Sequence, residues 1–148
     1  MAISNDNEFK AALSALSPDR QRLAAARLVA NVLPLCKDPR VKGAVTAARR
    51  EDITDAELAA MYQAAKAASV DSYTECGREC DWTNQAGHFV ALAALSCVTP
   101  AREGANLCWE AAMQARMART FETIAAGAGT ENHEADAQYR ILAEFLKQ

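Results

Sequence analysis

Two cysteines and a histidine lie close enough in the sequence to suggest a metal or redox site. Cys76 and Cys80 are spaced i, i+4, which places both on one face of a helix, and His88 follows shortly after. A metal site needs further ligands, and no second closely spaced Cys/His pair follows, because His133 is remote and surrounded by acids. We therefore predict structural thiols and no cofactor. The alternative is a small helical metal- or redox-active protein that uses Cys76, Cys80 and His88.

His88 could also act together with Cys97 in the apolar segment QAGHFVALAALSCV. A separation of nine residues corresponds to a net half turn of helix, so the two side chains point in opposite directions. We predict that Cys97 is a small core residue. We predict that His88 is structural, with its ring bonded to a carboxylate or carbonyl group on a neighbouring helix.

An acidic segment with two aromatic residues lies between positions 71 and 82. Its residues of interest are Asp71, Tyr73, Glu75, Glu79, Asp81 and Trp82. Aromatic side chains supply contact area in protein interfaces, and carboxylates around them speed the association of a basic partner. We predict that these six residues bind a protein partner. The alternative is that the charges only solvate a helix end.

Recognisable catalytic motifs are missing from the sequence. It contains no glycine-rich phosphate loop, no HExxH and no GxSxG, and its two histidines are far apart. We therefore predict that the protein is not an enzyme.

The elements that position these residues are predicted to be helices. The chain has 148 residues with 34 alanines but only six glycines and four prolines, and alanine has the highest helix propensity. Capping residues indicate helix starts at Ser17-Pro18, Asp38-Pro39, Thr54 and Thr99-Pro100, with Thr130 capping the last helix. Six to seven helices are predicted, at roughly 6–15, 18–35, 39–50, 55–78, 82–98, 101–126 and 131–147.

The predicted fold class is a single all-α domain spanning residues 1–148. The helix at 82–98 is apolar on every side, which predicts a central helix surrounded by the others. The short helix at 6–15 could be loosely attached. Pro34 should kink or stop the second helix.

A stripe of large apolar residues runs along the helix predicted at 101–126. It consists of Trp109, Met113, Met117 and Ile124, with Phe121 at its edge. This spacing predicts a core-facing stripe. The alternative is an adaptable binding surface, as in a homo-oligomeric helical adaptor or a homodimer.

Charge and hydropathy limit the classes of partner. The net charge is −3 and the pI is about 5.4, so binding to a phosphate backbone is disfavoured, and no basic patch is visible. No run of 18 apolar residues could span a bilayer, and no signal peptide is recognisable. We expect a cytoplasmic protein that binds neither nucleic acid nor membrane.

The order of several segments resembles a family of small all-α bacterial proteins classed as immunity proteins of polymorphic toxin systems. These segments are RLAAARLVANVLPL, a helix beginning at DPR and ending at AARR, AGHFVALAALSCVTP and ANLCWEAAMQAR. The resemblance covers roughly Leu16–Thr123, and Gly87 and His88 match a Gly-His pair in an apolar helix. It implies a non-catalytic protein that binds and neutralises a cognate toxin. Because toxins that act on nucleic acid are commonly basic, an acidic protein suits this role.

Overall fold

A computed structural model describes residues 2–76 and 81–148, except for the side chain of Cys76. The described residues form seven α-helices and one 3₁₀ turn and contain no strand. The helices are α1 (Asp6–Ser14), α2 (Pro18–Ala30), α3 (Pro39–Ala48), α4 (Asp55–Cys76), α5 (Trp82–Val98), α6 (Leu107–Ala125) and α7 (Glu134–Leu146), and the 3₁₀ turn is Leu33–Leu35. The predicted all-α bundle is confirmed. None of the described helices is long and apolar enough to cross a membrane.

Side-chain caps begin three of the helices where the sequence predicts them. The Ser17 side chain accepts from the Arg20 amide before α2, and the Asp38 side chain accepts from the Arg40 amide before α3. Thr54 and Glu57 form a capping box at the start of α4, since each side chain accepts from the other residue's amide, at 3.1 and 3.2 Å. α2 ends before Pro34, which lies in the 3₁₀ turn.

The predicted starts of α6 and α7 are wrong. Thr99 does not begin α6, because its hydroxyl donates to the Leu95 carbonyl at 2.6 Å and so closes the end of α5. α6 begins at Leu107, where the Asn106 side chain accepts from the Trp109 amide at 3.0 Å. α7 begins at Glu134 rather than at residue 131.

α5 is the central helix of the bundle. It packs against α2, α3, α4, α6 and the 3₁₀ turn, and it buries Val90 together with four alanines. Gly87 lets the 3₁₀ turn approach closely, since a Cβ atom there would lie 3.4 Å from the Leu35 carbonyl oxygen. The helix is nevertheless not covered on every side. Leu92 is only half-buried, on a strip of α5 that also carries Phe89.

The buried face of α6 consists mainly of alanines, which are Ala111, Ala112, Ala115 and Ala118. The predicted core stripe on this helix is therefore wrong in part. Trp109 and Met113 pack against the core from its edge, but Met117 is 41% exposed. Small residues on the buried face allow the backbones of α5 and α6 to approach closely, and the larger side chains lie outside this contact.

The first helix is firmly docked rather than loosely attached. Phe9 and Leu13 are fully buried. Asp6 accepts from Arg116 of α6 at 2.7 Å and from the Tyr139 hydroxyl of α7 at 2.7 Å. The bond to Arg116, and then that to Tyr139, lowers the pKa of Asp6, while partial burial opposes them.

Candidate protein-binding site

The residues predicted to bind a partner lie where α4 ends and α5 begins. Asp71, Tyr73 and Glu75 are on the last turns of α4, and Asp81 and Trp82 are at the start of α5. The remaining predicted residue, Glu79, and also Cys80, lie outside the described residues. The five described residues are all exposed. We refer to this end of the two helices as the α4–α5 junction.

Two of the predicted carboxylates have structural partners. Asp71 accepts from Arg40 of α3 at 3.0 Å, and Arg40 also binds Asp38 at 2.7 Å. Asp81 caps α5, because it accepts from the backbone and side-chain amides of Asn84 at 2.7 and 2.9 Å. Asp71 therefore joins α3 to α4, and Asp81 fixes the start of α5.

Glu75 is the predicted carboxylate with the fewest constraints. It is exposed on α4, and it forms no ion pair within residues 2–76 and 81–148. An exposed carboxylate contributes little to stability but retains its field in solvent.

The two predicted aromatic residues are the most exposed of the phenylalanine, tyrosine and tryptophan side chains in the described part of the chain. Tyr73 is 68% exposed and Trp82 is 45% exposed. Trp82 stacks on Phe121 of α6 with the ring centres 5.6 Å apart and the planes at 13°. Phe121 in turn stacks on Phe89, with the ring centres 5.2 Å apart. These contacts fix the orientation of the indole.

Ring contacts continue from Phe89 to Tyr73. The His88 ring lies 5.7 Å from the Phe89 ring and 5.8 Å from the Tyr73 ring, measured between ring centres. The five rings form a continuous surface across α4, α5 and α6, which we call the aromatic row: Tyr73, His88, Phe89, Phe121 and Trp82. Met117 lies one turn before Phe121 on α6 and extends this exposed apolar surface.

Sequence reasoning missed the role of Phe89 in this surface. The sequence pattern predicts that Phe89 lies on a helix surrounded by the others and that Phe121 lies at the edge of a core-facing stripe. A signal was present, since Trp82 and Phe89 are seven residues apart and Met117 and Phe121 four apart, so each pair shares a helix face.

His88 is held by α4, as expected for a structural histidine, and both the Ser72 hydroxyl and the Ser69 carbonyl act on its ring. Ser72 Oγ lies 2.8 Å from His88 Nδ1, and Ser72 also donates to the Ser69 carbonyl at 3.0 Å. Partial burial lowers the pKa of His88, while the Ser69 carbonyl acts in the opposite direction. The neutral ring is therefore the main form at pH 7.

A polar pocket of about 470 Å³ lies beside His88, between the start of α3 and the α4–α5 junction. Its charged lining residues are Lys37, Asp38, Arg40, Asp71 and Glu75. Arg40 occupies the space between Asp38 and Asp71, so most of this charge is paired within the protein. Lys37 and Glu75 lie outside this group of paired charges, and the lining as a whole carries more carboxylates than cations.

The described cysteines do not form a reactive or metal-binding group. Cys36, Cys97 and Cys108 are free thiols, and the described residues contain no group of three or more potential metal ligands. Burial raises the pKa of Cys36 above its ordinary value and that of Cys108 to about 12. Protonated thiols are weak nucleophiles. The predicted pair of Cys76 and Cys80 falls outside the side chains that the structure describes.

Comparison of the chain with protein-family profiles, with characterised proteins and with solved structures gave no match.

Proposed function

We propose that this protein is a non-catalytic, cytoplasmic protein that binds and neutralises a basic protein toxin, as in toxin–immunity pairs. The proposed contact surface is the α4–α5 junction. The observation that carries the proposal is the exposure of Trp82 and Tyr73 beside the carboxylates of Asp71, Glu75 and Asp81. The resemblance to immunity proteins over Leu16–Thr123 supports the same role.

The aromatic side chains suit the part of binding anchors. Trp82 is held by Phe121 before any partner arrives, so binding costs it little conformational entropy. Tryptophan and tyrosine are enriched among the residues that dominate interface energies, where loss of one costs about 2 kcal/mol or more. Trp82→Ala should therefore speed dissociation of the complex with little effect on folding.

The carboxylates suit a role in association. Exposed charges act mainly through long-range attraction of an oppositely charged partner, which raises the association rate and makes it sensitive to salt. The double variant Glu75→Lys with Glu79→Lys should slow association about tenfold at low salt and flatten its salt dependence. A matched control is Glu131→Lys with Glu144→Lys, which makes the same change in net charge at exposed positions near and on α7.

The experiment is co-expression with the product of the neighbouring gene, followed by binding kinetics of the two purified proteins. We expect that product to be toxic alone and harmless with the wild-type protein. The proposal is wrong if the product is not toxic, or if its toxicity is unaffected. If both double variants slow association equally, only the net charge acts and the junction is not the contact surface.

One observation favours a second candidate, a homo-oligomeric adaptor. Met117 and the aromatic row bring apolar side chains to the surface, with Met117, Trp82 and Tyr73 exposed, which suits contact with a second copy of the chain. Sedimentation of the purified protein over a range of concentrations tests it. A stable dimer that Met117→Gln dissociates would favour the adaptor, and a monomer would exclude it.

A further inference from the structure

A second pocket lies at the opposite end of α4 and α5 from the junction. It has a volume of about 350 Å³ and lies between the starts of α2, α4 and α6 and the end of α5. Its walls are mostly apolar and include Ala25, Leu58, Val98 and Leu107. This volume is within the range of small-molecule sites, which are largely apolar with few polar groups.

Two thiols complete the apolar wall. Cys97 and Cys108 both line the pocket and are buried. Burial raises the pKa of both groups, to about 12 for Cys108, so both remain neutral at pH 7. A neutral buried thiol behaves as a small hydrophobic group.

Three of the polar side chains that line the pocket are bonded to the protein itself. Gln21 donates to the Leu13 carbonyl at 3.0 Å, and Thr99 donates to the Leu95 carbonyl at 2.6 Å. Arg22 donates to the carbonyl of Ala48, the last residue of α3, at 3.2 Å and to that of Arg50 at 2.8 Å. A polar ligand would have to compete with these bonds, whereas an apolar ligand leaves them intact.

The charges at the pocket mouth do not select an ion. Asp19 and Asp55 are exposed to solvent, and Asp19 lies 3.5 Å from Arg22. Exposed carboxylates disfavour an anion, and they attract a cation only weakly across water. The Arg22 guanidinium is already engaged by Asp19 and by the carbonyls near the end of α3. Apolar burial is therefore the main source of affinity that the pocket offers.

We infer that this pocket binds a neutral apolar small molecule of two or three rings. The site is independent of the proposed toxin-binding surface, because Leu58 in the pocket and Tyr73 at the junction are 15 residues apart along α4, or about 22 Å. The ligand is held by contact with the apolar walls and the two thiols. The hydrogen bonds of Gln21 and Thr99 remain unchanged.

The test uses the fluorescent probe N-phenyl-1-naphthylamine, which is neutral, apolar and bright only when removed from water. We expect a saturable one-to-one increase in fluorescence with the wild-type protein. Ala59→Phe places a ring at an exposed position that lines the pocket and should raise the Kd about tenfold or more. Ala67→Phe makes the same change at an exposed position of α4 outside the pocket and should leave the Kd within about twofold.

Competition identifies the class of ligand. Naphthalene should displace the probe, and the anion 1-naphthoate at the same concentration should not. The inference is overturned if the wild-type protein shows no saturable fluorescence, or if 1-naphthoate displaces the probe as well as naphthalene does. It is also overturned if Ala59→Phe binds the probe like the wild-type protein, since the probe would then occupy another surface, such as the aromatic row.

Discussion

Glu134 joins three helices from a buried position, and its removal is the most direct test of how the bundle is held together. Its side chain is 2% exposed, and its carboxylate accepts from Arg119 of α6 at 2.9 Å. The other carboxylate oxygen accepts from Asn31 at the end of α2, at 2.8 Å. α7 packs on α2 and α6, so this residue ties the last helix to both of its neighbours.

Glu134→Ala should lower the free energy of unfolding by about 3 kcal/mol. Removing one partner of a buried ion pair costs about 3–5 kcal/mol, because the other charge is left without compensation. The lower end applies here, since the Arg119 side chain is 26% exposed and keeps its bonds to Glu122 and to the Asn31 carbonyl. Glu134→Gln retains the shape and one acceptor, so we expect a loss of about 1–2 kcal/mol.

Urea denaturation followed by far-ultraviolet circular dichroism measures these differences. Glu131→Ala is the control, because it removes an exposed carboxylate three residues earlier and should change stability by less than about 0.5 kcal/mol. A Glu134→Ala variant that unfolds within that same margin of the wild-type protein would refute the reasoning. Such a result would mean that the bonds of the Glu134 carboxylate in the folded protein contribute nothing to the free energy of unfolding.

Three further predictions concern α5 and the thiols. Val90→Asp should unfold the protein, because Val90 is fully buried, whereas Leu92→Asp at a half-buried position should lower the melting temperature without abolishing the transition. His88→Ala should cost about 1 kcal/mol at pH 8 through the lost Ser72 contact. The pKa of His88 is lowered on folding from its usual 6.5, so wild-type stability should fall as the pH drops through 6.5, and denaturation curves of His88→Ala should lack this decline. The double variant Cys76→Ser with Cys80→Ser should melt like the wild-type protein, and one equivalent of zinc found by elemental analysis in the purified protein would contradict the predicted absence of metal.

Capping residues in the sequence predict the start of a helix correctly where the capping side chain has only one backbone group within reach. Thr54 and Glu57 form a reciprocal pair of hydrogen bonds within four residues. The start of α4 is therefore determined by local sequence and not by contacts with distant parts of the chain. The start of α6 was predicted wrongly because Thr99-Pro100 resembles a helix start as much as Asn106 does. The Thr99 hydroxyl instead bonds backward to Leu95, and only the path of the chain between α5 and α6 decides which residue caps.

The face of α6 could not be predicted from hydrophobicity alone. Large apolar residues normally lie inside, and this rule favoured the stripe that contains Met117. Most of the buried residues of α6 are instead alanines. The neighbouring helix α5 also buries alanines, so the two backbones can lie close together. The partners of the site residues also could not be predicted, because they come from distant parts of the chain. Nothing near Asp71 in the sequence indicates that its carboxylate binds Arg40, 31 residues away.

The close contact of α5 and α6 has a consequence for the outer surface of the bundle. Alanines fill the space between the two helices, so Phe121 and Met117 cannot enter it, and Trp82 stacks outside on Phe121. A monomeric protein gains little stability from apolar side chains that remain exposed, and such surfaces promote association. Trp82, Tyr73 and Met117 nevertheless remain at least 41% exposed. Their exposure next to Glu75 and Asp81 is accounted for if another protein covers them, which is the role that we propose for this end of the bundle.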